Sequence, residues 1–289
     1  MERSKRVRRK KLKKYQLSLF IIGLVVLGVI LCFLIVPRVT GMLERGDGKF
    51  VQENGATYYI SGKEKLKGMQ TISGEKYDFD LETGAMKTGF QTVNGKTVYF
   101  DLSTGKMETG LHEINGYYYY FESDGTDNVL KAYEAVAKTL DSGNSSIEGA
   151  ISKGLKLVGN SPYVYGGGRT DASVAKNEFD CSSFVAYMYR KAGLPLVYQY
   201  AASTTLLAET GTAIGWSNKS RGDLLVTANN ASEDEQHVAI YLGDGFILHD
   251  STSTNGVAVS RLNEIINEKV LGDMTWAELF ESGTVRREI

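Results

Sequence analysis

Apolar positions follow three different patterns along this 289-residue chain. Residues 17–36 carry no charge. A helix over that run, at about 1.5 Å per residue, reaches about 30 Å, the thickness of a bilayer's hydrocarbon core. Between residues 50 and 125 the apolar residues gather in short aromatic clusters: Tyr58-Tyr59-Ile60, Tyr77-Asp78-Phe79, Val98-Tyr99-Phe100 and Tyr119-Tyr120-Phe121. Glycines pace them at an interval of 21, as in Gly68, Gly89 and Gly110, in Gly74, Gly95 and Gly116, and in Gly84 and Gly105. So short a hairpin unit cannot bury its aromatics alone, and the pattern predicts an all-β solenoid of stacked hairpins.

Beyond residue 126 the period changes again. Val129, Leu130, Tyr133, Val136 and Leu140 share one side of a predicted helix over 128–140. A linker at 141–145 and a second helix over 146–158 follow. Asp180 is a good N-cap, the run from Phe184 to Tyr189 is apolar, and Gly193 and Pro195 stop the helix. The chain therefore divides into a tail (1–14), a transmembrane helix (15–37), repeats (50–125), a helical linker (126–145) and a compact domain (146–289). That last segment is long enough for one core.

Within it, His237-Val238-Ala239-Ile240-Tyr241-Leu242-Gly243 alternates like a strand, and Phe246-Ile247-Leu248-His249 reads as its partner. Register fixes which side chains share a face. An odd loop, Gly243-Asp244-Gly245, sets Leu242 opposite Phe246 and Ala239 opposite His249. Val238, Ile240, Leu242, Phe246 and Leu248 then form one face, while His237, Ala239, Tyr241, Ile247 and His249 form the other. A two-residue turn would separate the histidines. The apolar pattern therefore predicts an odd loop with a bulge at glycine.

The formal net charge of −1 hides an asymmetry. Nine of the 33 basic residues lie in the first fourteen positions, against one acid, Glu2; the rest of the chain carries 24 basic and 33 acidic residues, a net of −9. No basic surface for nucleic acid is expected. The basic tail predicts a single-pass protein with its N-terminus in the cytoplasm and residues from about 38 onward outside. A cleaved signal peptide would have a shorter apolar core. Cys32 follows Leu31 rather than a small residue, so it reads as part of the span. Two such separated cysteines make no disulfide framework, which suits an exported bacterial protein.

Cys181 is the only cysteine outside the apolar run. In the first turn of a helix it sits at the positive end of the helix dipole, where thiolate is favoured. Of the three histidines, His112 takes the place of Gln91 in the preceding repeat and reads as a surface residue. His237 and His249 lie downstream of Cys181, on two adjacent strands. A thiol at a helix start, a base and a polar group on the next strand make a nucleophile–base–orienter set. No cluster has metal-ligand spacing, and Asp171, Asp180, Asp223, Asp244 and Asp250 read as loop and cap residues. Gly166-Gly167-Gly168 lacks the Lys and Ser/Thr of a phosphate loop. No cofactor is expected.

These motifs resemble those of the NlpC-type cell-wall cysteine peptidases, a papain-like α+β fold. Pro162-Tyr163-Val164-Tyr165-Gly166-Gly167, Phe179-Asp180-Cys181-Ser182, Arg221-Gly222-Asp223-Leu224 and the His237 strand match in order, His249 falls at the third catalytic position, and Val285-Arg286-Arg287 resembles the closing strand. The resemblance implies Cys181 as nucleophile, His237 as general base and His249 as its orienter. Tyr163 and the Cys181 N–H would face the oxyanion, with Asp180 and Ser182 as substrate contacts. Ser183 replaces the usual Gly, Tyr165 the usual Trp, and 169–178 is longer than usual, all at the cleft rim. The repeats resemble choline-binding or cell-wall-binding repeats of Gram-positive surface proteins. Met69, Phe90 and Leu111 stand where Trp is usual, so the expected partner is wall glycan or teichoic acid rather than choline, or else the repeats are a stalk. The resulting expectation is a membrane-anchored extracellular peptidoglycan hydrolase cutting stem peptides at the D-γ-glutamyl–diamino acid bond. An amidase or acyltransferase on the same fold, and a non-catalytic surface-binding protein, are the alternatives.

Overall fold

The computed structural model describes residues 48–228, 230–232 and 235–289. The predicted tail and membrane span lie outside them. Among the described residues no helix is long and apolar enough to cross a membrane.

The 21-residue period becomes a row of hairpins. β1 (Lys49–Glu53), β2 (Ala56–Ser61) and β3 (Glu64–Lys65) form the first sheet. Three two-stranded sheets follow: β4 (Gly68–Ile72) with β5 (Glu75–Phe79), β6 (Gly89–Val93) with β7 (Lys96–Phe100), and β8 (Gly110–Ile114) with β9 (Tyr117–Phe121). The turn Asn94-Gly95 has φ of 52° and 77°, and Asn115-Gly116 has 53° and 79°. Two successive left-handed residues match the twist of the flanking strands, hence Asn then Gly. Each unit also hydrogen-bonds back to an earlier one, through Met86 N–H to Thr57 O (2.7 Å), Met107 N–H to Lys76 O (2.9 Å) and Asp127 N–H to Thr97 O (2.9 Å). Tyr77, Phe79, Val98, Phe100, Tyr119 and Phe121 are buried, whereas Met69, Phe90 and Leu111 are exposed. The stacking predicted from the glycines is thus present.

The compact domain has a six-stranded sheet in the order β10-β15-β11-β12-β13-β14. Its strands are β10 (Thr212–Ile214), β11 (Leu224–Val226), β12 (Val238–Gly243), β13 (Phe246–Ser251), β14 (Gly256–Arg261) and β15 (Thr284–Arg287). Helices α1 (Val129–Val136), α2 (Ser145–Leu155), α3 (Asp171–Ala175), α4 (Cys181–Lys191) and α5 (Thr204–Leu207) precede most of the sheet, and α6 (Trp276–Glu281) precedes its last strand. One core joins α1, α2 and α4 to Val238, Ile240, Leu242, Phe246 and Leu248. The other joins α6 to Leu225, Ala239 and Ile247 on the opposite face.

The central hairpin corrects one expectation. Asp244 and Gly245, with φ of 47° and 78°, form a two-residue turn that pairs Gly243 with Phe246. The register then shifts between Tyr241 and Gly243, leaving Leu242 as the extra residue of a bulge. Below the bulge Tyr241 pairs with Ile247 and Ile240 with Leu248, so continuing the ladder sets Ala239 opposite His249. The predicted odd loop is wrong, but the bulge restores the parity and the predicted faces stand.

The Arg-Gly-Asp-Leu motif is a strut. Arg221 forks onto Glu148 of α2 at 2.8 Å and 2.8 Å and reaches Leu242 O at 2.8 Å. Asp223 accepts from Arg287 of β15 at 2.9 and 2.7 Å. The last repeat is clamped to the domain by Arg261, which binds both carboxylate oxygens of Asp127 and stands 4.0 Å over the Tyr119 ring.

Candidate active site

Cys181 opens α4, and the turn before it is fixed by a capping box: the Asp180 side chain accepts from Ser183 N–H (2.9 Å), and Ser183 Oγ accepts from Asp180 N–H (3.0 Å). Ser183 in place of glycine is therefore the second half of a cap. Gly168 is needed opposite it, because at φ 71° a Cβ there would meet Ser183 Oγ at 2.5 Å.

Asp180 and Ser182, expected as substrate contacts, flank Cys181 in the chain, and both are buried. Arg169 binds Asp180, Ser182 Oγ (3.1 Å), Gly167 O (3.0 Å) and Ala202 O (2.5 Å). Ser182 Oγ also donates to Asp180 at 3.0 Å. Arg169 was missed by sequence reasoning, since nothing in its neighbours signals a charge that must be long enough to tie one loop to α4. Tyr163 is bridged to Phe179, the residue before Asp180, which brings it next to this turn; burial, with Cys181 and Asp180 adding, raises its hydroxyl well above the usual range.

His237 stands just before β12, its N–H donating to Thr227 Oγ1 at 2.9 Å. Its Nε2 is 2.9 Å from His249 Nδ1, and His249 Nε2 is 3.0 Å from Ser260 Oγ on β14. The nitrogen of His237 left for a thiol is Nδ1. With Nδ1 as base, Nε2–H donates to His249 Nδ1, and His249 Nε2–H donates to Ser260: one tautomer set serves the whole chain. Trp276 of α6 covers both rings, at centroid distances of 5.1 and 4.5 Å, and Phe280 lies 5.8 Å from His237. Neither aromatic was foreseen, although Thr275 and Glu278 form a readable capping box that announces the helix.

Burial dominates the electrostatics. It pushes the Cys181 thiol up to about 12, with the Asp180 carboxylate adding and the N–H groups of Val238 and Ser182 opposing. It pushes His237 down to about 3 and His249 well below its usual value. The expectation of a resting thiolate is therefore corrected: dehydration of the sulfur outweighs the helix N-terminus. Burial favours the neutral form at both the Cys181 thiol and the His237 ring. Asp250, read from the sequence as a loop residue, is instead a fully buried strand residue of β13. His112 is half-buried in the repeats, 3.2 Å from Glu108, and plays no part here. Among the described residues no acidic, histidine or cysteine cluster could hold a metal ion.

Residues 159–274 match the NlpC/P60 family, and residues 109–126 match a putative cell wall binding repeat. The chain thus carries an NlpC/P60 domain. It is 38% identical over 150 residues to the peptidoglycan DL-endopeptidase CwlO of Bacillus licheniformis, covering 52% of this chain and 30% of that protein. It is 34% identical over 125 residues to the peptidoglycan endopeptidase RipA of Mycolicibacterium smegmatis, covering 41% and 24%. The chain spans under a third of the length of either relative. Among solved structures, the peptidoglycan hydrolase RipB of Mycobacterium tuberculosis is 25% identical with a TM-score of 0.37, covering 54% of this chain and 71% of that one.

Proposed function

We propose that this chain is a cysteine endopeptidase of the bacterial cell wall that cuts peptidoglycan stem peptides at the D-γ-glutamyl–diamino acid bond. The hydrogen-bonded His237–His249 pair, on the sheet that meets the N-terminus of the Cys181 helix, carries the reading. The names of CwlO and RipA, as peptidoglycan endopeptidases, support the substrate class.

In this mechanism the Cys181 sulfur attacks the scissile carbonyl while its proton passes to His237 Nδ1. The bond from His237 Nε2–H to His249 becomes charge-assisted and steadies the imidazolium. The backbone N–H of Cys181 and the Tyr163 hydroxyl receive the oxyanion. His237 returns the proton to the leaving amine, and a water activated by the same ring hydrolyses the thioester. The repeats hold the enzyme on wall glycan or teichoic acid through the exposed ledge of Met69, Phe90 and Leu111. Residues 15–37 anchor it in the membrane of a Gram-positive cell with the catalytic domain on the wall side, as the basic tail before them suggests.

The test is mass spectrometry of muropeptides released from purified sacculi, and of soluble muropeptides, by the wild-type chain and by Cys181→Ser. The reading expects new diamino-acid N-termini from the wild type and none from the variant. Products with intact stem peptides, or full activity of the variant, would overturn it.

A further inference from the structure

A cleft of about 680 Å³ lies where the last repeats meet the peptidase domain. That volume falls within the range of about 300–1,000 Å³ that small-molecule sites occupy. Phe90 of β6 and Asn115, in the turn between β8 and β9, line the repeat side. Ile265 and Asn267, in the loop after β14, line the domain side, and the buried Trp276 of α6 lies at the base. Phe90 and Ile265 are 41% and 60% exposed, so each wall offers an apolar surface to whatever enters. Asn115 and Asn267 are exposed as well, and among the described residues neither side-chain amide has a hydrogen-bond partner. Each amide brings N–H donors and a carbonyl acceptor.

The charges in the cleft are already answered. Arg261 is the one cation among its lining residues, and the guanidinium is held by Asp127, by Glu264 at 2.9 Å and by Tyr118 O at 3.2 Å. An anionic polymer meets no free cation there, only carboxylates that outnumber the arginine. What the walls offer is neutral: apolar faces beside unpaired amides. A saccharide ring has the complement, with C–H faces that pack on apolar side chains and a rim of hydroxyl and acetamido groups that exchange hydrogen bonds with amides. The base of the cleft adjoins the histidine pair. The Trp276 ring centroid is 4.5 Å from that of His249, and Ser260, another lining residue, is 3.0 Å from His249 Nε2.

We propose that this cleft is a saccharide subsite, which takes a neutral N-acetylated segment of wall glycan between Phe90 and Ile265 and bonds it through Asn115 and Asn267. This rests on the domain being a peptidoglycan endopeptidase, since that substrate supplies the glycan. The site differs from binding on the repeats alone, because one of its walls comes from the peptidase domain. The bond of Arg261 to Asp127 then has a use beyond stability: it fixes the spacing of two walls that a sugar must bridge. Phe90 is shared by the exposed ledge of the repeats and by the cleft, so the two surfaces are continuous at that ring.

The test uses the full chain carrying Trp216→Phe, which leaves Trp276 as the only tryptophan. The probe is chitohexaose, a neutral oligomer of N-acetylglucosamine, and the readout is the emission of Trp276 during titration. Polyglycerol phosphate and a free stem peptide serve as the anionic and the peptide ligand. The proposal expects chitohexaose to shift the emission with a saturable midpoint. Asn267→Ala and Ile265→Ser, each added singly at an exposed position, should raise that midpoint by about three- to tenfold, the loss of one contact apiece. No response to chitohexaose, or a midpoint that neither variant moves, would overturn the subsite and leave the peptidase reading intact. Tighter binding of polyglycerol phosphate or of the stem peptide at Trp276 would overturn it too. Hydrolysis of sacculi and of soluble muropeptides by the same chain is measured separately, and its complete absence would instead remove the premise.

Discussion

The joint between repeats and peptidase domain should behave as a buried ion pair whose halves cannot be removed singly. Arg261 is 2% exposed at its side chain and Asp127 is 9% exposed. Arg261 holds both Asp127 oxygens, Glu264 at 2.9 Å and the carbonyl of Tyr118 at 3.2 Å, and it lies over Tyr119. Arg261→Met deletes the cation and leaves two acids facing an apolar neighbour. Breaking one side of a buried pair costs about 3–5 kcal/mol. At about 2–4 °C per kcal/mol for a chain of this size, the melting temperature should drop by roughly 6–20 °C. Asp127→Leu leaves the guanidinium short of its main partner but still bound to Glu264, so its cost should be smaller, about 2–3 kcal/mol. In Arg261→Met with Asp127→Leu no uncompensated pair remains at the joint, and Glu264 takes up a proton, a direction its burial already favours. The double variant should then lie within about 1–2 kcal/mol of wild type. The assay is a double-mutant cycle by urea unfolding at pH 7, with amide exchange over β9 reporting the joint. A coupling energy below about 0.5 kcal/mol, with the two single losses adding, would refute the argument.

Three further outcomes follow from the site. His249→Ala should lower kcat by about 10- to 100-fold with little change in KM, because the ring steadies His237 rather than substrate; an equal loss in KM would assign it to binding. Acid should destabilise the fold: His237 and His249 have depressed folded pKa values, so the unfolded chain binds more protons and stability falls as pH drops from about 6.5, by up to about 1.4 kcal/mol per unit for each ring. Urea midpoints that do not move between pH 6.5 and 4.5, or that fall equally in His237→Gln, would contradict that. Asp250 acts with the opposite sign: its folded pKa is raised to about 8, so stability is lost as pH rises from about 4 to 8, at about 1.4 kcal/mol per unit, and Asp250→Asn should remove this loss and be more stable than wild type at pH 8.

The parity of the hairpin that carries the two histidines was legible because a strand has only two faces. Val238, Ile240 and Leu248 had to share one, and that alone placed His237 with His249 on the other. What the pattern constrains is the sum of turn length and bulge, not each part. An odd loop and an even turn with one bulged residue are therefore equivalent to it, and the wrong one was favoured. Asp250 was legible on the same grounds and was overlooked. It follows Phe246 and Leu248 by the strand period, so its position called for a core side chain. Reading it as a loop residue let residue type override periodicity. Arg169 and Trp276 were different cases. Each reaches the site from a loop or helix whose placement depends on the tertiary fold, and no local spacing ties Arg169 to Asp180 or Trp276 to His237.

The thiol illustrates how one effect displaces another at the same residue. A helix N-terminus contributes about 0.3–1 kcal/mol to an exposed anion, and up to about 2 kcal/mol when partly buried. Taking a sulfur anion out of water costs more than that, and Asp180, the same residue that caps the helix, adds its own negative charge. The cap that positions Cys181 therefore also works against its ionisation. Arg169 offsets this by binding the cap carboxylate, and the Val238 N–H offsets it by meeting the sulfur.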